Sequence, residues 1–142
     1  IEAANVSVDL INAGEGDFLM KGLLSTDRYM RAILNKERGL MNGGAVLSHV
    51  TVAEPKTYHK LLIFGDVAII PEPDLKQKIA ICNYLIRTAH LLGIKEPKLG
   101  ILGPSEQVLP KIKSSFEASI LAKMAHRGQI KGAIVEGPLG WT

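Results

Sequence analysis

The chain has 142 residues, 46% apolar and 22% charged, with 17 Lys and Arg against 14 Asp and Glu for a formal charge of +3. This balance excludes a disordered polyelectrolyte, and at such a length one core buries about 68–70% of the unfolded surface, so a single domain without disulfide staples is expected. The cations are spread along the chain beside only one Trp, three Tyr and three Phe, which excludes the basic, aromatic-interleaved stripe of a nucleic-acid binder.

In chain order, Ala3, Val6, Leu10 and Ala13 recur at helical spacing and Gly14 supplies a stop, so residues 2–13 are expected to form a helix that begins without a cap. Asp17 to Gly22 (DFLMKG) is a short apolar run that predicts a buried strand. Ser25 and Thr26 then offer caps for a helix over Asp27 to Arg38, with Met30, Ile33 and Leu34 on its buried face. Asn42, Gly43 and Gly44 form a turn into Ala45 to Glu54, and Lys60 to Phe64 carries the same strand character, so two neighbouring strands joined through Pro55 are expected.

Asp74 and Gln77 form a capping box ahead of Leu75, Ile79, Cys82, Ile86 and Ala89, which predicts a long helix ending at Gly93. Lys98 to Gly103 (KLGILG) reads as a buried strand. Ser114 and Glu117 form a second capping box for a helix whose apolar face is Phe116, Ile120, Leu121 and Met124, up to Gly128, and Ala133 to Gly137 (AIVEG) is the last strand. Strands alternating with helices imply an α/β sandwich with a largely parallel sheet, in which functional groups collect at the carboxyl ends of the strands.

That rule selects the candidate site. Lys21, Ser25 and Thr26 follow the DFLM run and precede a helix, so an ammonium, two hydroxyls and free backbone N–H groups can converge on a phosphate-like anion; the alternative is that the hydroxyls only cap and Lys21 is solvated. Arg31, one turn in and off the apolar face, either reaches the same anion or faces water. Asp66 after KLLIFG and Glu136 after GAIV are carboxylates at strand ends, where a general base or a ligand anchor belongs, and Ser105 after KLGILGP holds a third such place; each equally suits a cap or a turn. His49 within its strand reads as a core or cleft histidine.

The four His lack metal-ligand spacing and the lone Cys82 cannot complete a zinc site, so no metal is expected. One cysteine fits a reducing compartment. The longest uncharged run, Gly39 to Ala53, is broken by glycines and polar residues and is no transmembrane span, and the first residues, which contain Glu2 and Asp9, lack the basic start and apolar centre of a secretory signal. A cytoplasmic protein is expected. Without a GxGxxG, Walker A or GxSxG pattern, dinucleotide, nucleotide and serine-hydrolase readings lose their support.

The blocks DFLMKGLLSTDRYMRAILN, LLSHVTV, GDVAIIPEPDLKQK, LGIKEPKLGIL and LAKMAHRGQIKGAIVEGPL, in this order and spacing, resemble the phosphate acetyltransferase and butyryltransferase family, with the SHV strand and the KMA-RGQI segment closer to the butyryltransferase branch. The resemblance implies an isocitrate-dehydrogenase-like α/β/α fold of two domains around a cleft. It also implies acyl transfer between coenzyme A and inorganic phosphate, with coenzyme A as substrate, no further cofactor and a homo-oligomeric assembly. Lys21, Ser25, Thr26 and Arg31 match the family's cleft motif and become phosphate and oxyanion ligands, with Ser105 a further substrate contact. Asp66 and Glu136 are the catalytic carboxylates to test within the chain, Glu136 standing where the family usually has Asp.

The family's Ser-Arg segment and its catalytic aspartate lie beyond GPLGWT, so the chain is expected to be an internal piece that spans the end of the first domain and the start of the second and is inactive alone. Three alternatives stand beside this reading: an acyl-carrier-protein-dependent phosphate acyltransferase of phospholipid synthesis, a non-catalytic anion-binding or oligomerisation module, and a metal-dependent dehydrogenase on the same fold.

Overall fold

A computed structural model describes residues 2–41 and 43–140. The chain divides into two compact units, Ile1–Leu47 and Ser48–Thr142, instead of the one domain expected from length. The turn residue Asn42 lies outside the described residues.

In the first unit, helix α1 (Glu2–Asn12) packs on helix α2 (Thr26–Ile33). The α1 helix ends as expected at Gly14, whose φ of 74° is open to glycine without strain. Its buried stripe is Ala4 and Val8, however, while the expected Val6 and Leu10 are exposed. Apolar residues occur on more than one side of this helix, and the small side chains of Ala4 and Ala32 share one cluster with Val8, flanked by Leu19, Leu24, Ile33 and Leu40. The α2 helix is shorter than its pattern because Asn35 Oδ1 accepts hydrogen bonds from the amides of Glu37 and Arg38, offering the backbone a turn in place of another helical turn. Its buried residue is Ala32; Met30 and Ile33 are half-buried and Leu34 is exposed.

The DFLMKG run is not a strand. It pairs with no strand among the described residues, and Phe18, Met20 and Leu23 are 77%, 79% and fully exposed. An apolar run becomes a strand only where a neighbour supplies a hydrogen-bonded edge.

The second unit contains the remaining elements. Strands β1 (Thr51–Ala53) and β2 (Leu62–Phe64) pair antiparallel, with Val52 opposite Ile63, as their proximity through Pro55 led us to expect. Strands β3 (Lys98–Leu102) and β4 (Ile134–Leu139) pair parallel, with Leu99 opposite Val135. Parallel neighbours need a crossover, and helix α4 (Lys113–His126) provides it and packs on both strands.

Helix α3 (Leu75–Leu91) carries the capping box in full: Asp74 accepts from the Gln77 amide at 2.7 Å and Gln77 Oε1 accepts from the Asp74 amide at 2.8 Å. Its Cys82 and Ile86 form the core with Leu121, Ile130 and Val135, and Leu99, Ile101 and Met124 pack against them. Burial pushes the Cys82 thiol up to about 11, so it is an inert apolar filler here.

The second capping box is absent. The N-cap of α4 is Ile112, and Glu117 turns away from the helix start to pair with Lys78. The chain is thus an α/β protein with one parallel and one antiparallel strand pair among the described residues, and no described helix is long and apolar enough to cross a membrane.

Candidate functional site

The first unit holds Lys21, Ser25, Thr26 and Arg31. Ser25 is the N-cap of α2, with φ −61° and ψ 144°, but its hydroxyl makes no capping hydrogen bond. The hydroxyl and the first-turn N–H groups therefore stay available, and helix polarity favours an anion there. Thr26 is the first helical residue, and Lys21 lies exposed on the extended segment ahead of it, its Nζ 3.4 Å from the Gly22 carbonyl oxygen. Arg31 is exposed and donates from Nε to Asp27 Oδ1 at 3.0 Å, one turn back. An exposed i,i+4 pair of this kind is worth about 0.3–0.5 kcal/mol, so it holds the guanidinium only weakly against a competing anion.

In the second unit Asp66 follows β2 at the end of the LLIFG run. Gly65 makes its position possible, because a Cβ there would sit 2.4 Å from the His49 carbonyl oxygen. This close approach brings the Asp66 carboxylate against the strand entering β1. Oδ2 accepts from the Ser48 hydroxyl at 2.9 Å and the His49 amide at 3.2 Å; Oδ1 accepts from the Ala68 amide at 2.8 Å and the Ile69 amide at 2.9 Å. Partial burial works to raise the pKa, but the Ile69 and Ala68 amides, the Ser48 hydroxyl and the His49 amide together hold it down to about 2. These four donors tie the ionised Asp66 carboxylate to the backbone at positions 48–49 and 68–69.

Glu136 lies on β4 between the buried Val135 and Pro138 positions, is itself exposed, and accepts from the Gly137 amide at 3.0 Å. It lines a shallow depression with Ser119, Lys123 and His126, the last two linked at 3.1 Å between Nζ and Nδ1. Ser105 lies in the turn after β3, where its Oγ accepts from the Gln107 amide at 3.1 Å, and this turn runs beside Gly140 at the end of β4. His49 is half-buried with Nδ1 3.2 Å from Thr51 Oγ1. Asp66 and Ser105 lie just past the ends of β2 and β3, as the α/β rule led us to expect, whereas Glu136 sits within β4 opposite Gly100 and not at its end, because the strand runs on through Leu139; Asp66 and Glu136 line different depressions.

Sequence reasoning missed Ser48 as the Asp66 partner and missed the ion pair of Lys78 with Glu117, 2.7 Å apart and mostly shielded from solvent beside Asp66's depression. Neither has a spacing signal, since the partners are 18 and 39 residues apart. Among the described residues no three His, Cys, Asp or Glu side chains cluster to hold a metal.

The sequence pattern of the phosphate acetyl/butaryl transferase family matches residues 2–141. The chain is 44% identical over 138 residues to a phosphate butyryltransferase of Clostridium acetobutylicum, covering 97% of this chain and 46% of that protein. It is 39% identical over 137 residues to a phosphate acetyltransferase of Thermotoga maritima, covering 96% and 46%. Among solved structures, a branched-chain phosphotransacylase from Enterococcus faecalis superposes with a TM-score of 0.82 at 31% identity, over 96% of this chain and 48% of that one. The chain therefore spans less than half the length of the relatives it matches.

Proposed function

Because the chain belongs to the phosphate acetyl/butaryl transferase family, we propose that its parent protein transfers an acyl group between coenzyme A and inorganic phosphate, giving acyl phosphate and free coenzyme A. The observation that carries this reading is the start of α2, where an uncapping Ser25, open N–H groups, Thr26, Lys21 and a loosely held Arg31 offer donors and positive charge to a phosphate.

In the direction that consumes acyl phosphate, a base takes the coenzyme A thiol proton and the thiolate attacks the acyl carbonyl. The new C–S bond forms, the C–O bond to phosphate breaks, and phosphate leaves with the electron pair. Lys21, Ser25, Thr26 and Arg31 stabilise the phosphate oxygens, and Ser105 serves as a further substrate contact. The four donors on Asp66 support a positioning role for it, and of the two candidate carboxylates Glu136 is the exposed one. The thiolate-generating base then belongs to the part of the parent outside these residues, which straddle the end of one domain and the start of the next. The same reading has the protein working in the cytoplasm as a homo-oligomer, with coenzyme A as substrate and no resident cofactor.

The test is an assay of the full-length parent with acetyl- and butyryl-coenzyme A. Thiol release that requires phosphate, and that continues with arsenate in its place, is expected. Release independent of phosphate, or turnover only of acyl groups carried on acyl carrier protein, would overturn the coenzyme A reading.

A further inference from the structure

The β1–β2 register sets Thr51 opposite Phe64, and continued by two positions it sets His49 opposite Asp66, just past the carboxyl end of β2. The backbone contacts follow that register. The His49 amide donates to Asp66 Oδ2 at 3.2 Å, and the His49 carbonyl oxygen lies so close to Gly65 that a Cβ there would meet it at 2.4 Å. His49 is thus held at both its amide and its carbonyl, at the end of a strand where α/β folds gather their substrate contacts.

The imidazole, by contrast, is held on one side only. Positions 49 and 51 share a face of the extended chain entering β1, and Nδ1 lies 3.2 Å from Thr51 Oγ1. The neighbouring Ser48 hydroxyl is spent on the Asp66 carboxylate, whereas Nε2 of His49 has no hydrogen-bond partner among the described residues. The ring is half-buried, yet no buried side-chain nitrogen or oxygen among the described residues lacks a partner, so Nε2 is the nitrogen that reaches the surface. When the Thr51 hydroxyl donates to Nδ1, the ring proton sits on Nε2, which becomes an open donor on a fixed backbone.

We propose that His49 is a substrate contact of the acyl transfer, its Nε2–H donating to an acyl carbonyl or phosphoryl oxygen, with Thr51 as the positioning residue that holds the ring and its tautomer. This rests on the acyl-transfer reading above, in which acyl phosphate offers both kinds of oxygen as acceptors and negative charge grows on the carbonyl oxygen as the thiolate attacks.

Steady-state kinetics of the full-length parent separates the donor from the ring. His49→Phe keeps a planar ring without the donor, and His49→Gln returns an amide N–H near the place of Nε2. His49→Phe is expected to lower kcat/KM at least about tenfold, and His49→Gln to lose less than about threefold. A fall in kcat at unchanged phosphate KM marks the carbonyl oxygen as the acceptor; a raised phosphate KM marks a phosphoryl oxygen. Thr51→Val should cost about threefold or more in the parent and nothing further in His49→Phe, since it acts through the ring. Equal losses in the Phe and Gln variants, or a Phe variant as active as the parent, would overturn the proposal. A measurement on the unaltered protein guards against misfolded variants: with nitrogen-15 histidine, the His49 Nε2 resonance should move on addition of acetyl phosphate, and a resonance that stays in place would also overturn it. A parent that releases no thiol from acyl-coenzyme A with phosphate sinks the acyl-transfer reading itself, whereas an active parent with an unimpaired His49→Phe variant sinks the histidine contact alone.

Discussion

The Lys78 ammonium lies 2.7 Å from the Glu117 carboxylate, joining α3 to α4 beside the depression that Asp66 lines, with side chains only 20% and 12% exposed. At this degree of burial the pair is asymmetric in its consequences: removing one partner strands a charge, whereas removing both leaves space that apolar groups fill. Glu117→Gln is expected to cost about 1–3 kcal/mol in urea unfolding, and Lys78→Met with Glu117→Leu to recover most of it. Equal and additive losses in the two single variants and the double variant would show that the ions do not interact.

Asp66 makes stability depend on acid. Its folded pKa of about 2 lies below the ordinary aspartate value of 3.8, so the folded state holds the ionised form more tightly than the unfolded chain does. The stabilisation is therefore complete above about pH 5, declines as pH falls through 4, and is gone below 2. Discounted for partial solvent access, it amounts to about 1–2 kcal/mol. Asp66→Asn should lose this at pH 7 and show a flatter decline between pH 5 and 2 than the parent in circular-dichroism unfolding; parallel curves would remove Asp66 as the anchor of the 48–49 and 66–69 backbone.

These two features also mark the limit of the sequence. The α3 helix was legible because its capping box and apolar repeat are local, and β3, α4 and β4 because their periodicity changes at Gly103 and Gly128. What set Asp66 apart is a contact with Ser48 across 18 residues made possible by a glycine without a Cβ, and no local pattern encodes it. The DFLMKG run failed for the complementary reason: its composition suits a strand, but a strand is a relation between two segments and the described residues supply no partner. The candidate phosphate ligands were legible as residue types at a helix start; that Ser25 leaves its cap unmade was not.

Arg31 tests the phosphate reading without disturbing the fold. Its pairing with Asp27 is exposed, so Asp27→Asn should change stability by less than about 0.5 kcal/mol. Arg31→Lys keeps the charge but loses the planar fork that grips phosphate through two hydrogen bonds. In the full-length parent it should lower turnover more than about tenfold. An unchanged rate and phosphate KM, measured by thiol release, would return Arg31 to a solvated helix face.

Two adjacent serines separate the capping pattern from the structure. Ser114 and Glu117 have capping-box spacing, yet the helix starts at Lys113 with Ile112 as N-cap, so Ser114 caps nothing there. Ser115 is fully buried, accepts from the Leu109 amide at 2.8 Å and donates to the Gln107 carbonyl at 2.9 Å, pinning the loop before α4 to its first turn. Truncating it leaves a donor and an acceptor buried without partners, which costs about 1–3 kcal/mol, whereas loss of a helix cap costs about 1 kcal/mol. Ser115→Ala is therefore expected to lower the urea midpoint clearly and to speed exchange of the Leu109 amide, while Ser114→Ala shifts stability by less than about 0.5 kcal/mol, as a substitution away from such features does. The reverse order of effects would mean that Ser114 caps α4 and that the helix begins at Ser115 and not at Lys113.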